Sequence, residues 1–136
     1  MMKVFVDTNV ILDLVLGREG EEQALDLFQL GEEKKIELTV SFLSMANVAY
    51  IARKNRSKEE LYEYLKVLSS LFSILEMDGN QFLESLETIV SDFEDYLQYT
   101  CAKRHDCDVL ITNNVKHFGF SEIPVYTPHS FLEKYT

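Results

Sequence analysis

The sequence predicts a single α/β domain, a parallel sheet flanked by helices, on three observations. Short continuous apolar runs recur, as in Val4-Phe5-Val6 and Val109-Leu110-Ile111, and such runs mark strands covered on both faces. Helical periodicity fills the intervals between them, an alternation that right-handed crossovers turn into a parallel sheet. Both runs also stop at polar groups, Asp7-Thr8-Asn9 after the first and Thr112-Asn113-Asn114 after the second. Ligands of open α/β sheets sit beyond the carboxyl ends of the strands. One crevice should therefore collect both sets.

Each element has its own local reason. Lys3 to Val6 forms the first strand, and Thr8 is placed to cap a helix beginning at Asn9. Val10, Ile11, Leu14 and Val15 share one face of that helix, and Gly17 ends it. Ala24, Leu25, Leu27, Phe28 and Leu30 repeat at helical spacing until Gly31 closes the run. Ile36 to Val40 is the second strand, followed from Ser41 by a helix through Met45, Val48, Ala49, Ile51 and Ala52. Ser57 with Glu60 makes a capping box for a helix carrying Leu61, Leu65 and Leu68. Phe72 to Met77 reads as a third strand and Asp78-Gly79 as a turn. Asn80 opens a helix holding Phe82, Leu83, Leu86 and Ile89, and Asp92 begins another through Phe93, Tyr96, Leu97 and Thr100. After the strand at Val109 come a short segment from Val115 to Phe118 and a strand from Ile123 to Tyr126. A last helix opens at Pro128, which a first turn tolerates, and runs to Tyr135.

The 136 residues and 46% apolar content suit one folded domain and exclude a disordered chain. No apolar stretch is long enough to span a bilayer, and the first residues lack the basic and apolar regions of an export signal. A cytoplasmic protein with no membrane partner is expected. Cys101 and Cys107 are too few for a disulfide framework and are expected to be reduced; with His105 they do not complete a zinc ligand set. A net charge of −10 disfavours nucleic acid as a partner for the surface at large. Positive charge gathers at Arg53, Lys54, Arg56 and Lys58 and again at Lys103-Arg104-His105. Helix C-termini followed by solvated turns account for such clusters. The functional alternative is a phosphate-contacting patch, for which Arg53, Lys54 and Lys116 are the candidates.

Asp7 is the foremost chemical candidate, because a carboxylate directly after a buried strand is held by rigid backbone, as a metal ligand or general base requires. Its structural alternative is a helix cap. Asp92 and Asp95 are three apart and share a helix face, so with Asp7 they could offer oxygens to a hard cation. As a plain cap and a first-turn acid, they would need no ion. Asn113 and Asn114 can coordinate through carbonyl oxygens or hold a turn, Thr112 can bond a neighbouring carboxylate, and His117 reads as a surface histidine. No serine–histidine–acid grouping and no glycine-rich phosphate loop is present.

Three stretches carry a resemblance over nearly the whole chain: Val4-Phe5-Val6-Asp7-Thr8-Asn9-Val10, Asp92-Phe93-Glu94-Asp95, and Ile111-Thr112-Asn113-Asn114-Val115-Lys116-His117-Phe118. In this order they resemble the PIN domain family, the ribonuclease fold of VapC-like toxins. The resemblance implies a PIN-like, Rossmann-like sandwich over residues 1–136 and an acidic cluster around Mg²⁺ or Mn²⁺ that hydrolyses RNA with metal-activated water. Carried over by position, Asp7 and Asp95 are the core acids, Asn114 stands where the family often has Asp, and Asp92 is a further possible ligand. Thr8, Asn9, Asn47 and Thr112 fall in supporting places. Asn47 occupies a position that is commonly Glu, and His117 one that is often Asp, so the implied ion is weakly held. The family further implies an RNA substrate, a homodimer and an inhibitory antitoxin. The alternative function is a PIN scaffold that binds RNA or protein without cleaving. A phospho-acceptor receiver is a more distant alternative, because Lys116 follows too polar a segment for it.

Overall fold

The computed structural model describes residues 1–136. Five strands form one sheet: β1 (Met2–Val6), β2 (Ile36–Ser41), β3 (Ser73–Leu75), β4 (Val109–Ile111) and β5 (Val125–Tyr126). Their order is β3-β2-β1-β4-β5, and every neighbouring pair is parallel. Seven helices flank the sheet, six in the crossovers between β1 and β4 and the last after β5: α1 (Thr8–Val15), α2 (Glu21–Glu32), α3 (Phe42–Ala52), α4 (Lys58–Leu71), α5 (Gly79–Ser85), α6 (Phe93–Arg104) and α7 (Pro128–Tyr135). The α/β class and the parallel sheet are as the sequence predicts.

Alternation along β1 explains the layering, since successive side chains of a strand leave opposite faces. Val4 and Val6 enter one core with Val10, Ile11, Leu27, Leu38 and Phe131, beneath α1, α2 and α7. Phe5 enters the other with Tyr99, Cys101, Ala102, Leu110 and Phe118, beneath α6. Val4, Phe5 and Val6 are all fully buried, which is why the run shows no polar alternation. Cys101 and Cys107 are free thiols in this second core, and burial pushes the Cys101 thiol up to about 12. His105 is not their partner; its Nε2 lies 2.9 Å from the Glu76 carbonyl oxygen.

Several boundaries differ from the sequence reading, each for a physical reason. The first helix is capped by Asp7, not Thr8: the Asp7 side chain accepts the Thr8 N–H, and Thr8 is already helical. Gly31 does not end α2, which continues to Glu32; the glycine admits the buried Leu38 side chain instead. The third strand shrinks to three residues. β2 ends at Ser41, which turns to cap α3, so Glu76 and Met77 have no strand to pair with. α5 stops at Ser85, because Leu86 and Ile89 find no core to cover; Ile89 is 99% exposed. The last strand likewise pairs only through Val125 and Tyr126. Gly17, at φ +63, does terminate the first helical segment, and the Ser57–Glu60 capping box forms.

Candidate metal centre at the strand ends

The crevice begins where β1 and β4, which are hydrogen-bonded neighbours, both run out. Asp7 caps α1 through Oδ1, accepting the Thr8 N–H at 2.9 Å. Its Oδ2 accepts a hydrogen bond from Thr112 Oγ1 at 3.0 Å. The same hydroxyl accepts the Asn114 N–H at 3.1 Å and so shapes the loop after β4. The carboxyl is thus both cap and strand-end acid; the two readings of Asp7 hold together. Burial pushes it from 3.8 up to about 6, against the lowering effects of the Thr112 hydroxyl and the Thr8 N–H. The charges that reach it, those of Asp95 and Glu94, are negative and add to the rise.

α6 delivers the opposing acids. Asp92 is its N-cap, accepting the Asp95 N–H at 3.0 Å, so capping accounts for one of its oxygens. Asp95 is half-buried, and its Oδ2 lies 3.2 Å from His117 Nδ1. Burial holds the Asp95 carboxyl above its ordinary range, with the Asp92 charge acting the same way and His117 opposing. One donor atom each from Asp92, Asp95 and His117 lie within 4.8 Å of one another. Lys116 and His117, with Asp92, line an open cavity of about 530 Å³ beside this group. His117 is a surface residue, as the sequence reading has it, and its ring faces the Asp95 carboxylate.

The other predicted residues divide. Asn114 leads into the 3₁₀ turn Val115–Phe118, and its exposed side chain caps nothing. Asn113 is structural: its Nδ2 donates to Asp13 Oδ2 at 2.8 Å, and Arg18 pairs with the other oxygen at 3.2 Å. Asn9 is exposed, and only its carbonyl is engaged, by Arg18. Asn47 donates through Nδ2 to Glu94 Oε1 at 3.5 Å. Arg53 and Lys54 follow the far end of α3 from its N-cap, and the Arg53 guanidinium lies 4.0 Å over the Tyr50 ring. Arg56 closes on the carbonyls of Ala52 and Val15, a structural use of that basic cluster.

Sequence reasoning missed the buried polar knot beneath the acids. Gln98 is 1% exposed. Its Oε1 accepts from Ser41 Oγ at 2.8 Å, and its Nε2 donates to Ser44 Oγ at 2.8 Å and to Thr8 Oγ1 at 3.4 Å. One side chain thereby ties α6 to the N-terminus of α3 and to the first residue of α1. A glutamine three places after Asp95, among the apolar residues Leu97, Tyr99 and Ala102, was the available signal.

This donor set fits a divalent cation. Oxygen ligands predominate, as hard ions require, and the buried Asp7 carboxyl faces only like charge. The parallel sheet with acids at its carboxyl edge also defines a class of protein. Residues 3–116 match the PIN domain family, and the chain belongs to it. It is 29% identical over 138 residues to Ribonuclease VapC1 of Aquifex aeolicus (strain VF5), covering 98% of this chain and 95% of that protein. The fold is shared with DNA-bound VapBC from Salmonella typhimurium, at TM-score 0.70 and 19% identity over 94% of this chain and 99% of that one. A toxin–antitoxin complex from Klebsiella pneumoniae gives TM-score 0.64 and 24% identity over 92% and 97%.

Proposed function

We propose that this chain is a metal-dependent endoribonuclease, the toxin of a toxin–antitoxin pair. The observation that carries the reading is the buried Asp7 carboxylate at the end of β1, held by Thr112 and subject to repulsion from the Asp95 charge. Asp7 and Asp95 would hold a divalent ion that offsets that repulsion, with Asp92 and the Asn114 amide oxygen as further donors. When bound, Mg²⁺ or Mn²⁺ supplies the Lewis acidity that activates water and offsets charge on the phosphate. Thr112 and the Thr8 N–H fix the Asp7 carboxyl, while Asn9 borders it. Lys116, which lines the cavity beside Asp92, is the candidate cation for an RNA phosphate, with Arg53 and Lys54 as outlying contacts. The family relationship and the VapBC neighbours support an RNA substrate and an antitoxin partner; a homodimer is proposed on the family resemblance alone. No helix is long and apolar enough to cross a membrane.

Cleavage of structured RNA by the purified protein, with Mn²⁺, Mg²⁺ or a chelator, tests the reading. Cleavage that needs the ion and vanishes in both Asp7→Asn and Asp95→Asn upholds it; chelator-resistant cleavage removes the metal from the mechanism. The amides of Asn47 and Asn114 favour a second reading, a scaffold that binds RNA without cutting. RNA retained intact under every metal condition selects that one.

A further inference from the structure

The seam between α5 and α6 is polar. Gln81 on α5 is 2% exposed, and its Nε2 donates to the Leu97 carbonyl at 3.3 Å and to Thr100 Oγ1 at 3.0 Å. Thr100 Oγ1 donates its own proton to the same carbonyl, at 3.0 Å. The carboxamide cannot turn over, because its oxygen would then face the Leu97 carbonyl oxygen. Oε1 is thereby fixed as an acceptor, and it is the buried side-chain polar atom left without a hydrogen-bond partner. Burying a carbonyl without a donor destabilises a fold, so such an atom calls for an explanation.

Gln81 lines a cavity of about 530 Å³ whose wall also holds Tyr96, Tyr99 and Phe120, a volume in the range of ligand pockets. Tyr96 and Phe120 are half-buried and pack edge to face with centroids 5.1 Å apart, and Tyr99 lies 5.3 Å from Phe120. The two cations of the wall are already engaged, Lys103 by Glu122 at 3.0 Å and Arg104 by Asp78 at 3.7 Å, and Glu84 adds negative charge. An anion is disfavoured there. A flat neutral ring that stacks on an aromatic face and donates an N–H suits the lining. Phe120 also lines the second cavity, which holds Asp92, Lys116 and His117, so the two cavities meet at one ring.

We propose that this cavity takes a nucleobase of an RNA strand, stacked on Tyr96 or Phe120 and donating an N–H to Gln81 Oε1. The inference rests on the reading above that RNA is the substrate, and it assigns a base subsite that uses no ion. Every base offers a flat π face and at least one N–H. A strand with a phosphate at Lys116 passes Phe120 as it leaves the acids, which brings a base to the mouth of the cavity. Oε1 is covered in the free protein, so the donor reaches it as the wall yields, and the hydrogen bond gained opposes that cost.

Photocrosslinking of short single-stranded RNA containing iodouridine or iodocytidine, bound in chelator so that nothing is cut, tests this on the unaltered protein. The adduct should fall on Tyr96 or Phe120, at concentrations where the free iodinated nucleoside labels neither. Affinity for plain RNA, read by anisotropy, should drop about fivefold to a hundredfold in Phe120→Leu. An abasic strand should lose a similar factor against the parent and nothing further against Phe120→Leu. Strands of N3-methylated uridine keep the ring without the N–H, and should bind the parent about twofold to tenfold more weakly than uridine strands. Adducts only on other aromatics such as the exposed Tyr50 or Tyr62, or parent-like affinity in Phe120→Leu, would overturn the subsite while metal-dependent cleavage still stands. Equal labelling by the free nucleoside would overturn the strand as its source, and equal affinity for methylated strands would remove the Gln81 contact. RNA held at Tyr96 or Phe120 but cut under no metal condition would keep the subsite and remove the nuclease.

Discussion

Thr112 and Asp7 close the gap between two strand ends: the Thr112 hydroxyl donates to Asp7 Oδ2 at 3.0 Å, with both residues buried. This bond favours the ionised carboxyl, the form that an ion needs. Thr112→Val should therefore raise the Asp7 pKa above about 6. The midpoint of the pH profile for Mn²⁺ binding should move up by about one unit, the worth of one hydrogen bond to a charged acceptor. Binding lost near pH 6 and recovered towards pH 8 is the expected signature. An unmoved profile would mean that the hydroxyl serves only the Asn114 loop.

Asp7 itself should trade stability for function. Its folded pKa of about 6 lies above the unfolded 3.8, so the folded state binds more protons across that interval. Stability of the metal-free protein consequently falls as pH rises from below 3.8 through about 6, a cost on the order of 3 kcal/mol when fully present. Asp7→Asn keeps an oxygen for the Thr8 N–H and removes the charge. It should be about 1–3 kcal/mol more stable than the parent at pH 7, with the gap closing near pH 4. Urea unfolding at both pH values measures this, and added Mn²⁺ should raise the melting temperature of the parent alone.

Gln98→Leu should destabilise by about 1–3 kcal/mol, because the Ser41 hydroxyl loses its acceptor in a dry site while Ser44 and Thr8 can still pair with each other. The same change releases the tie between α6 and α3, so Mn²⁺ affinity should fall as well. Unfolding and metal titration of one preparation separate the two effects. Lost stability with intact affinity would make Gln98 a packing residue only.

Gly31→Ala sets two effects against each other. Alanine inside an exposed helix normally gains up to about 1 kcal/mol over glycine. Here the added methyl runs into the side chain of Leu38, which is 2% exposed and has nowhere to retreat. Overpacking of this kind costs about 1–3 kcal/mol, so the net change should be destabilising, read as a lower urea midpoint at unchanged slope.

What the sequence disclosed follows from how local each feature is. Asp7, Thr112 and Asn114 were legible because a buried strand announces its own end, and the sheet places all such ends on one edge. Asp92 and Asp95 were legible from helical spacing alone. The Ser41–Ser44–Gln98 knot was not, since it joins residues 54 and 57 positions apart, and no local pattern encodes such a meeting. Glu94 was hidden for a related reason: its hydrogen-bond partner Asn47 lies 47 positions away in the sequence. The overlong third strand and fifth helix came from apolar residues that the fold leaves uncovered, such as Ile89. Periodicity records which residues could be buried, but the neighbouring elements decide which ones are.

The two outermost strands are short, three residues in β3 and two in β5. An exposed strand margin is where a foreign chain can add itself by backbone hydrogen bonding, and long flat margins invite polymerisation. Stubs of this size offer almost no ladder to extend. A chain that assembles with this one finds side chains to engage and not a strand margin, so recognition is written in residue identity, and an unrelated extended peptide has little to grip.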